Sequence, residues 1–497
     1  MRNLVAIVGV FVIAAIVACG YDPHPISGKL PCTSHCPNGY VCTNNFCYLT
    51  GTGPDGGPSA GTAGGAGATG TGGTAGMDAG DASHSDALAP AISNFTASPE
   101  SILTNQSSTL SWSVTGATSL SIDQGIGSVL SRNSQQVTPT ETTTYTLTLN
   151  DSVSASVTVT VLNGTFTVTG KMVTPRDSHT AISLQDGTVL IVGGEAFNQP
   201  IASAEIYDPN TGTFAATGNM TVERQYHTMT LLPGGKVLIT GGFDGSSDLA
   251  SAELYDPNTG TFSSTAGSMT VPRSSHVAAL LQNGLVLIAG GWNGLTGLTS
   301  AELYDPSTGK FKPIGGMSAI RQIPSATVLP SGQVLVAGGF DGADDLASAE
   351  LYDPKSAGFL STGTMHAARE THTATLLQNG QVLIVGGQNG TGSLASAELY
   401  DPSVGTFTAI ASMTLPRDLH TATLLQNGMV LIAGGEESYM SLASAKVYDP
   451  ATETFTATGG MSQPRQGHTA TLLPNGQVLI AGGFDQTIDF PAAELYQ

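Results

Sequence analysis

Short runs of alternating apolar and polar residues fill most of the chain, and in its C-terminal two thirds they recur on a fixed period. Residues 372–387 show the pattern. Thr373-Ala374-Thr375-Leu376-Leu377 is followed by Gln378-Asn379-Gly380, then by Gln381-Val382-Leu383-Ile384-Val385 and the pair Gly386-Gly387. That predicts a strand, a tight Asn-Gly turn and a second strand ended by glycine, the signature of a β-hairpin. Two further strands follow, at Ala397-Glu398-Leu399-Tyr400 and around Gly405-Thr406-Phe407, with Asp401-Pro402 as the turn between them. The opening position of the unit falls at His179, His227, His276, Pro324, His372, His420 and His468, a spacing of 48 residues and once of 49. A fixed period of this size means a repeat architecture.

Each copy offers four strands separated by turn formers; in the second they are 227–232, 237–240, 252–255 and 261–265. The seventh copy stops at Tyr496-Gln497 without its fourth strand, and the missing piece stands ahead of the first copy as Gly164-Thr165-Phe166-Thr167-Val168-Thr169-Gly170. That split suits a closed ring, in which pairing the two ends removes exposed sheet edges. An open solenoid would carry atypical capping repeats instead.

These residues resemble the kelch family, whose repeat carries a Gly-Gly doublet after its second strand. The doublet occurs here at 193–194, 241–242, 290–291, 338–339, 386–387, 434–435 and 482–483. Kelch repeats usually place Trp in the fourth strand, whereas this chain has Phe there, as at Phe214, Phe262 and Phe407. The resemblance implies an all-β fold: a seven-bladed kelch β-propeller over 163–497, its last blade closed by the N-terminal strand. It does not by itself imply an activity, because such propellers include enzymes and plain binding modules.

Residues 90–162 precede the repeats and alternate with period two: Leu110, Trp112 and Val114 against Thr109, Ser111 and Ser113, and Tyr145, Leu147 and Leu149 against threonines. This predicts an antiparallel sandwich with Trp112 at its centre. The segment resembles bacterial immunoglobulin-like domains, which implies a spacer, with adhesion through its loops as the alternative.

The N-terminus reads differently. Met1-Arg2-Asn3 and the apolar run 4–17 form a signal peptide, too short for a membrane span. It ends in Ile16-Val17-Ala18-Cys19, which resembles a bacterial lipobox and implies that residues 1–18 are removed and Cys19 is lipidated, at the outer membrane or cell surface. Ordinary cleavage after an Ala-x-Ala site, with Cys19 free or in a disulfide, is the alternative. Within 19–49, Cys32, Cys36, Cys42 and Cys47 are spaced for two disulfides rather than a zinc knuckle, and three pairings are possible. The run resembles the small Cys-rich modules of myxobacterial lipoproteins. Residues 50–89 are almost all Gly, Ala, Thr and Ser, a disordered tether with a reach on the order of 35 Å.

Charge narrows the function. With 37 acidic against 16 basic residues the formal net charge is −21, which opposes nucleic-acid binding. No cysteine follows Cys47, so a galactose-oxidase-type copper radical site, built on a Cys–Tyr crosslink, cannot form in the repeats. Sialidase-type Asp boxes, P-loops and nucleophile elbows are absent from the sequence, and no cofactor is expected. Recurring Arg and His (Arg176/His179 and so on, with Pro324 in the fourth copy) follow the symmetry of the repeat and read as packing rather than as a metal ring. The recurring Glu reads as their partner, except in the sixth copy, where Lys446 replaces it.

Variation concentrates in the connection after each doublet. There stand Phe243-Asp244, Trp292-Asn293, Phe340-Asp341, Phe484-Asp485, and Glu437 with Tyr439. Aromatic groups beside carboxylates and amides suit contact with carbohydrate or protein, and drift of unconstrained surface loops is the alternative. Asp248, Asp344 and Asp345 lie nearby without a calcium-loop spacing. The expectation is a lipid-anchored envelope protein that binds a glycan or protein partner without catalysis. A mutarotase-like carbohydrate-active enzyme and a purely structural scaffold are the alternatives.

Overall fold

The structure, a computed structural model, describes residues 90–103, 107–162 and 164–497, together with three strands at Leu30–Pro31, Tyr40–Thr43 and Phe46–Leu49. Among the described residues there are strands and no helix. Residues 1–18, Cys19, Cys32, Cys36 and the 50–89 stretch lie outside the described residues.

The chain forms two compact units, one of them residues 22–89. In it, Phe46–Leu49 pairs antiparallel with Tyr40–Thr43 and Leu30–Pro31, in a register that sets Cys42 opposite Cys47.

In the other unit, residues 91–162 fold as two sheets around a shared core. One sheet orders Ala91–Ser98, Ser108–Thr115 and Ser134–Val137; the other holds five strands, with Val153–Leu162 beside Thr143–Leu149 at its middle. The alternation seen in the sequence is the alternation of burial: Leu110, Trp112, Leu147 and Leu149 all point into the core. Trp112 is buried and packs edge-on against Phe95, centroids 6.4 Å apart.

Residues 166–496 form seven four-stranded antiparallel sheets. The second repeat has strands Thr228–Leu231, Val237–Thr240, Ala252–Asp256 and Thr261–Ser264, within a residue of the sequence expectation. Its second strand is wholly buried, which explains the unbroken apolar run Val237-Leu238-Ile239. The first strands touch in cyclic order, and Thr469–Leu472 of the seventh sheet meets Thr180–Ser183 of the first. Phe166–Lys171 pairs with Ala492–Tyr496 as the fourth strand of the last sheet, Phe166 opposite Tyr496. The N-terminal strand therefore closes the series.

The glycine doublet is explained by neighbouring sheets. A Cβ on Gly193 would lie 2.5 Å from the Arg224 carbonyl oxygen of the next repeat and 2.8 Å from the His227 ring. Only glycine lets them approach. Phe in place of Trp is explained as well: each fourth-strand Phe packs against the third-strand Tyr opposite it, centroids 4.8–5.2 Å apart in all seven copies.

Candidate functional site

The recurring polar residues are consumed inside the fold. Six arginines meet the recurring Glu through Nη2 at 2.8–3.2 Å. Nη1 of each donates to the first glycine carbonyl of its doublet, as Arg176 does to Gly193 at 2.9 Å. All seven arginines are fully buried. Each histidine Nε2 pairs with the Ser or Thr hydroxyl that opens the first strand of the preceding repeat: His179 with Thr469, His227 with Thr180, His276 with Thr228, His372 with Ser325, His420 with Thr373 and His468 with Thr421, at 2.7–3.0 Å. The one break is coordinated. Repeat four has Pro324 for His, and repeat three has Val277 where the hydroxyl would stand. Burial pushes all six imidazoles far down, His227, His372 and His468 to about 3, so they are neutral at physiological pH.

What does not recur gathers on one face. Antiparallel pairing sets the start of each first strand beside the end of the second, as Thr180 opposite Val192, so the residue after each Arg and the residue after each doublet share an edge. Backbone bridges join them: Asp177 with Glu195, Gln225 with Phe243, Ser274 with Trp292, Gln322 with Phe340, Glu370 with Gln388, Asp418 with Glu436 and Gln466 with Phe484.

These pairs fall into two classes. In repeats two, three, four and seven the doublet is followed by an aromatic residue and a loop built on an Asx turn. Asp244 Oδ1 accepts the N–H groups of Ser246 and Ser247 at 2.8 Å, and Asn293, Asp341 and Asp485 do the same in their loops. Those four polar side chains, expected as ligand groups, spend an oxygen holding the loop. Phe243, Trp292, Phe340 and Phe484 beside them are half-buried.

In repeats one, five and six the loop is instead a small hairpin that opens on Glu195, Gln388 or Glu436. All three acids that follow an Arg, namely Asp177, Glu370 and Asp418, belong to these repeats. None meets a cation within ion-pair distance among the described residues. Burial raises the Asp177 carboxyl well above its ordinary value, and Glu195 and Asp489 add to the rise. Burial carries Glu370 to about 7, helped by Asp345 and Asp418. Burial likewise carries Asp418 to about 7 against a hydrogen bond from Ser393 Oγ at 2.7 Å, with Glu436 adding to the rise. Sequence reasoning passed over this column, although Asp and Glu replacing Gln and Ser were visible in it.

Two of the three hairpin tips, those of repeats one and six, carry an exposed aromatic residue. Phe197 is 77% exposed and Tyr439 74%, and both have left-handed backbones with φ of 54° and 65°. A bulky residue at positive φ is a backbone outlier, and such outliers cluster at functional sites. Leu295 and Ile488 stand exposed on the tips of the Asx loops of this face. Glu437 is half-buried beside Tyr439. At the middle, Ile323 and Leu419, from repeats four and six, pack against each other.

Kelch motifs match at residues 178–221, 231–267, 273–318 and 371–414. The chain is a kelch-repeat protein. No curated protein matches it. A solved fungal alcohol oxidase of the AA5 family, in complex with copper, is similar over 67% of this chain and 75% of its own, at 17% identity and a TM-score of 0.56. At that identity the likeness is one of fold. The kelch histidines here are bonded to hydroxyls of neighbouring repeats, and among the described residues no group of three or more His, Cys, Asp or Glu is placed to hold a metal ion. The side chains of the repeats therefore do not fit a copper centre.

Proposed function

We propose that this kelch-repeat protein is a lipid-anchored component of the cell envelope. In this reading the seven sheets form a closed seven-bladed propeller that binds a glycan or protein partner, without catalysis, through the face of the second-to-third loops. Residues 90–162 are an immunoglobulin-like spacer, Cys19 carries the lipid, and Cys32, Cys36, Cys42 and Cys47 form two disulfides. The observation that carries the reading is the pair of exposed aromatic residues, Phe197 and Tyr439, held at positive φ on hairpin tips beside carboxyls without a cation. Both features cost stability, and both lie on the one face that departs from the repeat.

The test is a screen of the full chain against polysaccharides and purified envelope proteins, beside Tyr439→Gly and Trp292→Ala. Binding lost in Tyr439→Gly and weakened in Trp292→Ala is expected; binding untouched by both sinks the choice of face, and no binding leaves the scaffold reading. Palmitate incorporated by the wild type and not by Cys19→Ser is expected for the anchor; equal labelling refutes it. A second reading, an extracytoplasmic carbohydrate-active enzyme, is favoured by Glu370 and Asp418, whose titration near neutrality is what a general acid or base needs. Turnover of a sugar substrate that Glu370→Gln abolishes would establish it.

A further inference from the structure

The second-to-third loops of repeats six, seven and one stand next to one another in the cyclic order of the sheets, and hydrogen bonds tie them into one rim. Gln486 Nε2 of repeat seven donates to Glu436 Oε2 of repeat six at 3.2 Å and to Gln466 Oε1 at 3.3 Å. Ser441 Oγ of repeat six donates to the Phe484 carbonyl of repeat seven at 3.2 Å. On the other side, Asp489 Oδ2 of repeat seven accepts the Phe197 N–H of repeat one at 2.7 Å.

Large apolar side chains stand out from this rim: Phe197 and Tyr439, with Met440 at 69% exposure and Ile488 at 56%. The corresponding turns of repeats two, four and five are Gly245-Ser246, Gly342-Ala343 and Gly390-Thr391, which are small or polar. Apolar residues exposed side by side mark an interaction site, whereas one exposed alone does not. The rim also carries a single sign of charge. Loops 195–203, 436–444 and 484–491 hold Glu195, Glu436, Glu437, Asp485 and Asp489 and no Lys or Arg. Glu195 bridges through the backbone to Asp177, whose buried Oδ1 has no hydrogen-bond partner among the described residues. Burial first, then Glu195 and Asp489, hold the Asp177 carboxyl well above its ordinary value.

These features choose among occupants. A second copy of a chain of net charge −21, or an anionic membrane, would set like charges against the rim. A glycan can stack on Phe197 and Tyr439 but gains little from the aliphatic side chains of Met440 and Ile488. A polypeptide with apolar residues beside Lys or Arg meets both demands, covering the tips and bringing cations to the acids. Given that this face is the binding face, we propose that the rim of repeats six, seven and one docks a protein segment in which apolar residues alternate with Lys or Arg.

The probe is a fluorescein-labelled peptide of alternating Leu and Lys, added to the full chain and read by anisotropy. Peptides of alternating Leu and Glu and of alternating Ser and Lys run beside it. The Leu-Lys peptide is expected to bind tightest, because it alone supplies both apolar contact and positive charge. Phe197→Asn and Ile488→Ser, both in exposed turns, are each expected to weaken it about fivefold or more. Leu360→Ser, on the fourth strand of repeat four and as exposed as Ile488 at 56%, is expected to leave it unchanged. A Leu-Lys peptide that does not bind, that binds no better than the other two, or that binds both rim variants as it binds the wild type overturns the proposal. Weakening by Trp292→Ala alone overturns the choice of rim and keeps the face. A polysaccharide bound in place of the peptide and lost in Phe197→Asn makes the occupant a glycan, and self-association lost in that variant makes it a second copy. Either result overturns the protein segment and keeps the face.

Discussion

The interior of the repeats and the face of their second-to-third loops are built from the same kinds of residue and use them in opposite ways. Inside, charge is paired and repeated: Arg176 with Glu205, Arg224 with Glu253, and onward through Arg465 with Glu494. On the face, Asp177 and Asp418 are buried and Glu370 is half-buried, all near other carboxyls, and they do not repeat. Inside, left-handed backbone recurs on the glycine doublets and two residues after the arginines, as at Ser178, Tyr226 and Ile323; on two hairpin tips it falls on the exposed Phe197 and Tyr439. The comparison teaches that a repeat protein separates stability from function by symmetry. What every copy keeps holds neighbours together, and what one or a few copies break is free to meet a partner.

The sharpest way to break the comparison is to remove one partner of an interior pair. Glu302→Gln leaves Arg273 buried and uncompensated, and a loss of about 3–5 kcal/mol in chemical denaturation is expected. A loss under about 1 kcal/mol would show that the pairs do not hold the ring.

On the face the same kind of change should have the opposite sign. Asp418 titrates at about 7 rather than at its ordinary 3.8, because burial disfavours its ionised form. The wild type therefore carries a penalty that is full above pH 7, shrinks as pH falls and is gone below about pH 4. Asp418→Asn lacks it. The variant is expected to be more stable by about 4 kcal/mol at pH 8 and equal to the wild type near pH 4. The six depressed imidazoles act the other way, weakening the fold as pH falls below 6.5. They are common to both proteins, so the difference between the two curves isolates Asp418. A difference that grows toward low pH would refute the assignment.

Much of the interior was legible in the sequence because symmetry repeats each signal seven times. The period gave the four strands, and the orphaned Gly-Thr-Phe run placed the closing strand opposite Ala492–Tyr496. The face was half legible. Phe243, Trp292, Phe340 and Phe484 stood out by composition, but Asp244, Asn293, Asp341 and Asp485 belong to loop turns, a role set by backbone geometry. The acids at 177, 370 and 418 went unread because each looks ordinary alone; only pairing with Glu195, Gln388 and Glu436 through the sheet edge gives them meaning.

A smaller effect sharpens the interior side. Repeat three lacks the hydroxyl and repeat four the imidazole that would link them, Val277 and Pro324 standing in their place. Installing Val277→Thr with Pro324→His should complete the cycle of His–hydroxyl bonds. A double-mutant cycle is expected to give a favourable coupling of about 1 kcal/mol. Additive single effects would mean that the bonds seen in the other six pairs contribute nothing to neighbour docking.

The smallest stability change separates the two regions most cleanly. Tyr439 follows Ser438 in a two-residue hairpin turn where both residues have positive φ, 49° and 65°. Glycine favours the second of these positions and Tyr does not. Tyr439→Gly is therefore expected to leave stability unchanged or raise it by about 0.5 kcal/mol, since the ring is largely exposed and gives up little packing. If the ring is kept for a partner, the same variant loses binding at full stability. A variant that is destabilised by more than about 1 kcal/mol would place Tyr439 with the interior residues, as part of what holds repeat six together, and would remove it from the binding face.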